Sequence, residues 1–227
     1  MTKVVAINGS PRMERGNTAR VLTPFLDGMR EAGAEVELFF VNRLRLKPCA
    51  CGEMYCWDKK PGECCINDEM QQVYPKLRAA DVLVLATPVY IPLPGRMQDF
   101  INRLCPLVDP VLATRDGRTR ARFRNDVGIK RIVLVAVSGW WEKENLDTVV
   151  RIAEELAANA GVEFAGALLR PHAYEMNKGG QLTDAGKSVH DAARKAGREL
   201  VADGMMRPET LEAVSRPLVT RDDQMRG

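Results

Sequence analysis

Five short apolar runs punctuate this chain, and segments with helix-spaced apolar positions separate them. The runs cover residues 4–7 (VVAI), 35–41 (EVELFFV), 82–86 (VLVLA), 131–137 (RIVLVAV) and 163–169 (EFAGALL). Runs that are apolar on both faces predict central parallel strands covered by helices. Helices are predicted over 18–32, 68–80, 95–107, 145–160 and 183–202. In the first of these, Val21, Leu22, Phe25, Leu26 and Met29 share one face. Pro24 lies inside that pattern and predicts a kink or a late restart. Two connections are long, a Cys-, Pro- and Gly-rich one at 42–66 and an Arg-rich one at 108–128. After Arg207 a short helix and surface-hugging coil are expected.

Strands alternating with helices predict an α/β fold, a doubly wound five-stranded parallel sheet with helices on both faces. One domain is expected over 1–205, with a Cys-rich insertion at 47–66 and a tail at 206–227. Ligands of such sheets sit beyond the carboxyl ends of the strands, at the switch point. That rule selects residues 8–18, 87–95 and 138–145.

The first segment, NGSPRMERGNT, joins a strand to a helix start, where unpaired N–H groups and the dipole favour an anion. Ser10, Asn17 and Thr18 add side-chain donors, Gly9 and Gly16 permit close backbone approach, and Arg12 offers a charge-assisted bond. The Lys of a P-loop is absent, as is G-x-G-x-x-G, so a terminal monophosphate fits better than a pyrophosphate. The competing reading has Ser, Asn and Thr merely capping the helix. In the second segment Thr87, Pro88, Val89 and Tyr90 leave the third strand, and Pro92 and Pro94 stiffen the loop. Free N–H groups at Val89 and Tyr90 would face a ligand, with Tyr90 along its ring. In the third, Ser138, Gly139 and Trp140 are candidate ring contacts. Adjacent Trp140 and Trp141 cannot both point the same way in extended chain.

Composition narrows the classes. Hydrophobic residues at 45%, charged residues at 28% and a net charge of +3 describe an ordinary folded chain with no nucleic-acid signature. No apolar run reaches the ~18 residues of a membrane span. The opening MTKVVAINGSPR lacks a signal-peptide layout, so a cytoplasmic protein is expected.

GSPR followed by GNT, and TPVYIPLPGRMQDFINR at 87–103, resemble the two signatures of the NADPH-dependent FMN reductase and multimeric flavodoxin-like family. The resemblance spans roughly residues 3–170. It implies a flavodoxin-like fold and an FMN site drawn from Ser10, Pro11, Arg12, Gly16, Asn17, Thr18, Thr87, Pro88, Val89, Tyr90, Ser138, Gly139 and Trp140. It also implies NAD(P)H as co-substrate and a homodimer or homotetramer. No protein nucleophile and no metal ligand are assigned.

Five of six cysteines, Cys49, Cys51, Cys56, Cys64 and Cys65, crowd the long connection, and Cys105 stands apart. The segment resembles the compact motif of iron–sulfur flavoproteins, which holds a [4Fe–4S] cluster. The spacing departs from that branch, C-x-C-x4-C-x7-C-C in place of C-x2-C-x2-C. Cys51, Cys56 and Cys64 or Cys65, with Cys49, form a possible ligand set. The plainer readings are a flavin-covering loop without metal, or a redox-active thiol pair.

Other residues weigh toward ordinary roles. His172 reads as a polar loop residue near the ligand edge and His190 as part of a solvated helix face. Arg115, Arg118, Arg120, Arg122 and Arg124 read as solvated charge, with a nicotinamide 2′-phosphate as the alternative. Asp99 and Arg103, one helical turn apart, can pair.

The functional expectation is an FMN-dependent NAD(P)H oxidoreductase that passes electrons to a quinone or similar small-molecule acceptor. The alternatives are an iron–sulfur flavoprotein-type electron carrier and a cofactor-free regulatory or binding module.

Overall fold

Every one of the five apolar runs is a strand of a single parallel sheet. The computed structural model describes residues 1–52 and 54–226. Its main strands are β1 (Lys3–Asn8), β2 (Glu35–Phe40), β3 (Val82–Pro88), β4 (Val108–Arg115), β5 (Arg118–Phe123), β6 (Arg131–Val137) and β7 (Glu163–Arg170). The parallel sheet has the order β2-β1-β3-β6-β7. The chain therefore reverses direction between β1 and β3, and this switch point opens a crevice at their carboxyl ends.

Helices cover both faces: α1 (Asn17–Glu31), α2 (Tyr55–Asp58), α3 (Met70–Ala79), α4 (Gly95–Asn102), α5 (Asp147–Ala160), α6 (Asp184–Ala202), α7 (Pro208–Ser215) and α8 (Arg221–Arg226). Strand residues alternate between two cores. Val5, Ile7, Leu83, Leu85 and Leu134 pack with α3, α4 and α5. Val4, Ala6, Val84, Val133 and Val135 pack with α1 and α6. Burying both faces of the central strands is the reason for their uninterrupted apolar runs. Among the described residues, no helix is long and apolar enough to cross a membrane.

Several elements differ from the sequence expectation. α1 runs unbroken through Pro24. The missing hydrogen bond costs about 3 kcal/mol, but Leu22, Phe25 and Leu26 are fully buried around it, at about 2 kcal/mol each. α4 stops at Asn102 rather than Leu107, because the Pro106 ring would strike the Asn102 carbonyl in a continued helix. The Arg-rich connection is a β4–β5 hairpin turned at Asp116-Gly117, both at positive φ, which a two-residue primed turn requires.

The arginines of that hairpin are held by protein groups. Arg118 and Arg120 pair with Glu155, and Arg122 with Asp109. Arg115 donates to the carbonyls of Ala158 and Asn159, and Arg124 to those of Pro106 and Cys56. Arg103 does not pair with Asp99; it turns inward to Asp68.

Candidate functional site

The loop from β1 to α1 folds back on itself before the helix begins. Ser10 N–H donates to Asn8 Oδ1 at 2.8 Å, and Arg12 N–H to Ser10 Oγ at 3.3 Å. A short 3-10 turn at Met13–Arg15 follows, with Met13 at φ 48°. Gly16 then caps α1 without any side-chain cap. The competing reading, in which Ser, Asn and Thr merely cap this helix, therefore does not hold. Ala19 and Arg20 N–H donate to the Gly16 carbonyl, while the leading N–H groups of Asn17 and Thr18 have no carbonyl partner within the helix, which leaves a positive pole facing the crevice. Gly16 is needed here on steric grounds, because a Cβ would lie 2.6 Å from Ser10 Oγ.

An open cleft lies at this pole, lined by Ser10, Arg12, Gly16, Asn17, Thr18, Pro88, Val89, Tyr90, Val137, Ser138, Gly139, Ala173 and Tyr174. The three loops singled out in the sequence therefore meet in one place. The lining contains one guanidinium and no carboxylate. Thr18 is buried, yet its hydroxyl has no hydrogen-bond partner, so a polar ligand at this position would satisfy it. An orphaned hydroxyl, an open helix start and Arg12 are the donor set that a phosphate monoester requires. On this observation the residues fit FMN.

Three sequence candidates lie outside the lining. Thr87 is buried and bonds its hydroxyl to the Pro88 carbonyl. Pro11 is exposed on the loop. Trp140 is 71% exposed and contributes its carbonyl, which accepts from His172 N–H at 2.6 Å. The N–H groups of Val89 and Tyr90 are not free, for they donate to the carbonyls of Val137 and Pro92.

Tyr174 was missed. It follows β7 in a 3-10 turn, lies under the Arg12 guanidinium at 6.0 Å, and faces Gly139, where a Cβ would lie 2.9 Å from Tyr174 Cε2. Nothing in its local sequence pattern marks it. Its position after the fifth strand was the available signal.

His172 is buried rather than a surface loop residue. Its Nδ1 faces the Trp141 carbonyl, and its Nε2 accepts from Leu218 N–H at 2.9 Å. Burial, together with the neighbouring Arg170 charge, pushes its pKa down to about 4, so the ring is neutral near pH 7. His190 is half-buried, and burial lowers its pKa as well.

The cysteine segment lies apart from the cleft lining. Its base is closed by Arg103, which donates to the Lys47 carbonyl and to both Asp68 oxygens. Trp57 Nε1 donates to the Cys105 carbonyl at 2.9 Å, bringing Cys105 to the same side. Burial, then neighbouring Cys105 and Cys51, push the Cys56 thiol up to about 12. Cys49, Cys65 and Cys105 are raised too, by burial first and then by Cys51. The six thiols are free, and Cys51 is an electrostatic neighbour of Cys49, Cys56, Cys65 and Cys105. Among the described residues, no group of three or more His, Cys, Asp or Glu closes on a single metal ion.

Comparison with known proteins gives the chain's family and fold relatives. Residues 2–141 match the model of a family described as NADPH-dependent FMN reductase. An iron-sulfur flavoprotein of Methanosarcina thermophila is 32% identical over 142 residues, covering 62% of this chain and 68% of that one. Another, from Methanocaldococcus jannaschii, is 38% identical over 127 residues, or 56% and 58% of the two chains. Among solved structures, an NAD(P)H:quinone oxidoreductase from Methanothermobacter marburgensis superposes with TM-score 0.60 at 18% identity, covering 88% of this chain and 98% of that one. An FMN-dependent NADH-azoreductase of Bacillus anthracis in complex with FMN gives 0.58 at 15%, over 89% and 99%. At such identities these two share the fold.

Proposed function

The chain belongs to the NADPH-dependent FMN reductase family, whose members are FMN- and NAD(P)H-dependent oxidoreductases, and from that premise we propose that its β1–β3–β6 cleft seats FMN and passes electrons to a quinone-like acceptor. The observation that carries this reading is the buried, unpartnered Thr18 hydroxyl beside the open start of α1. Ser10, Arg12, Asn17 and Thr18 would hold the phosphate. Pro88, Val89 and Tyr90 would form one wall of the ring site, and Ser138, Gly139 and Tyr174 the other. Pro11, Thr87 and Trp140 would act from behind or at the rim.

Bound FMN supplies the hydride and electron chemistry between reduced nicotinamide and acceptor. The protein's own part is to bind, orient and shield. Its lining offers no nucleophile paired with a base, and none is needed. Tyr90 and Tyr174 of the lining stand 55% and 57% exposed. Exposed aromatic faces so arranged suit a flat, aromatic acceptor. Exposed Val111 and Leu112 on β4 favour a homodimer or homotetramer. Anaerobic mixing of FMN-loaded protein with NADPH, then with a benzoquinone, tests the reading. Bleaching of the flavin absorbance followed by its return supports it. Bleaching without return would remove the quinone acceptor.

A second reading is favoured by the iron-sulfur flavoprotein relatives and by Cys51 having Cys49, Cys56, Cys65 and Cys105 as electrostatic neighbours. In it the cysteine segment holds an iron–sulfur cluster, and the protein is an electron carrier. Iron and acid-labile sulfide in anaerobically purified protein would support that reading, and their absence would leave the oxidoreductase.

A further inference from the structure

The C-terminal segment does not hang free of the cleft. It is tied at several points to the loop that follows β6. Gln224 Nε2 donates to the Gly139 carbonyl at 2.8 Å, and Trp141 Nε1 to the Val219 carbonyl at 3.2 Å. Leu218 N–H donates to His172 Nε2, while His172 N–H holds the Trp140 carbonyl. Outside these, Arg221 pairs with Glu142 at 2.8 Å. Trp141 and His172 stack with centroids 6.1 Å apart.

The base of this strap is anchored by a buried cation. Arg170, fully buried at the end of β7, donates to the carbonyls of Val214, Ser215 and Arg216 at the C-terminus of α7. A guanidinium there satisfies carbonyls that the helix leaves open and complements the negative end of its dipole. The strap thus leaves α7 from a fixed point and crosses to Gly139.

Gly139 is the link to the cleft. Its backbone forms part of the lining, and it touches the Tyr174 ring so closely that a Cβ would collide. We propose that the strap, residues 217–226, is a positioning element for the flavin wall, with Gln224 fixing the Gly139 carbonyl and Trp141 fixing the strap. This rests on the reading of the cleft as the FMN site. Without the Gln224 bond the Ser138–Gly139 turn loses one of the constraints on its orientation, and a preformed wall becomes one that FMN must order.

The test compares full-length wild type with Gln224→Ala, Gln224→Glu and Trp141→Phe. The readouts are Kd for FMN, the absorbance envelope of bound flavin, and the melting temperature of flavin-free protein. Gln224→Glu keeps the size of the side chain but cannot donate to a carbonyl. The inference expects both Gln224 variants and Trp141→Phe to bind FMN about five- to tenfold more weakly, with a shifted flavin envelope and little change in melting temperature. Wild-type affinity in the Gln224→Glu variant would overturn it, since packing alone would then suffice. Unchanged affinity in all three variants would overturn it too. If wild type itself takes up no FMN, the cleft assignment fails, and the strap's role fails with it.

Discussion

Arg103 and Asp68 form a two-point ion pair of 2.6 and 3.0 Å, with side chains 0% and 2% exposed. Arg103 also holds the Lys47 carbonyl, and Asp68 accepts from the N–H groups of Lys47 and Met70. The pair therefore closes the two ends of the cysteine segment onto the end of α4. Removing one partner leaves a buried charge uncompensated. Asp68→Asn should cost about 3–5 kcal/mol, read as a lower denaturation midpoint. A change within 1 kcal/mol of zero would show that the clamp contributes little.

The same pair sets an acid dependence. Burial alone would raise the Asp68 pKa, but hydrogen bonds from Arg103, Lys47 and Met70 outweigh it and hold the carboxyl below its ordinary range. A depressed folded pKa gives stability that is present above the unfolded value and lost as pH falls through the folded one. Wild type should lose this contribution below about pH 4, and Asp68→Asn should lack that part of the acid limb in a melting series.

His172 predicts a second pH window. Burial and the Arg170 charge lower its pKa to about 4. The contribution is complete above the unfolded value near 6.5 and disappears as pH falls toward 4. Melting temperatures should decline through that range in wild type. His172→Gln should show a flatter profile, because it cannot gain a proton there. Parallel slopes for the two proteins would contradict the assignment.

The orphaned Thr18 hydroxyl separates stability from binding. Thr18→Val removes an unsatisfied buried polar group, so flavin-free protein should gain up to about 1 kcal/mol. Affinity for FMN should fall about tenfold, the worth of one charge-assisted bond. Chemical denaturation and FMN titration of the same samples report the two effects, and the account requires opposite signs.

The parallel sheet was legible because its strands are buried on both faces, and apolar runs such as those at 82–86 and 131–137 leave no competing pattern. The three ligand loops followed from strand ends and turn chemistry. What stayed hidden depends on long-range contacts. Helical spacing points Arg103 to Asp99, its neighbour on the helix, whereas its partner is Asp68 in another element. The acceptors of the Val89 and Tyr90 N–H groups, the Val137 and Pro92 carbonyls, are set by the folded loops and leave no mark in the local sequence. Tyr174 enters the cleft from a turn with no periodicity. The β4–β5 hairpin had its Asp116-Gly117 signal, but arginines in the strands masked the alternation.

The central claim concerns what the start of α1 recognises. Flavin-free protein should be titrated with FMN and, separately, with riboflavin, following flavin fluorescence. The account predicts saturation near one equivalent of FMN and affinity for riboflavin weaker by at least about a hundredfold, since only FMN carries the phosphate that the helix start and Arg12 attract. Equal affinity for the two flavins, or no uptake of FMN by folded protein, would contradict it.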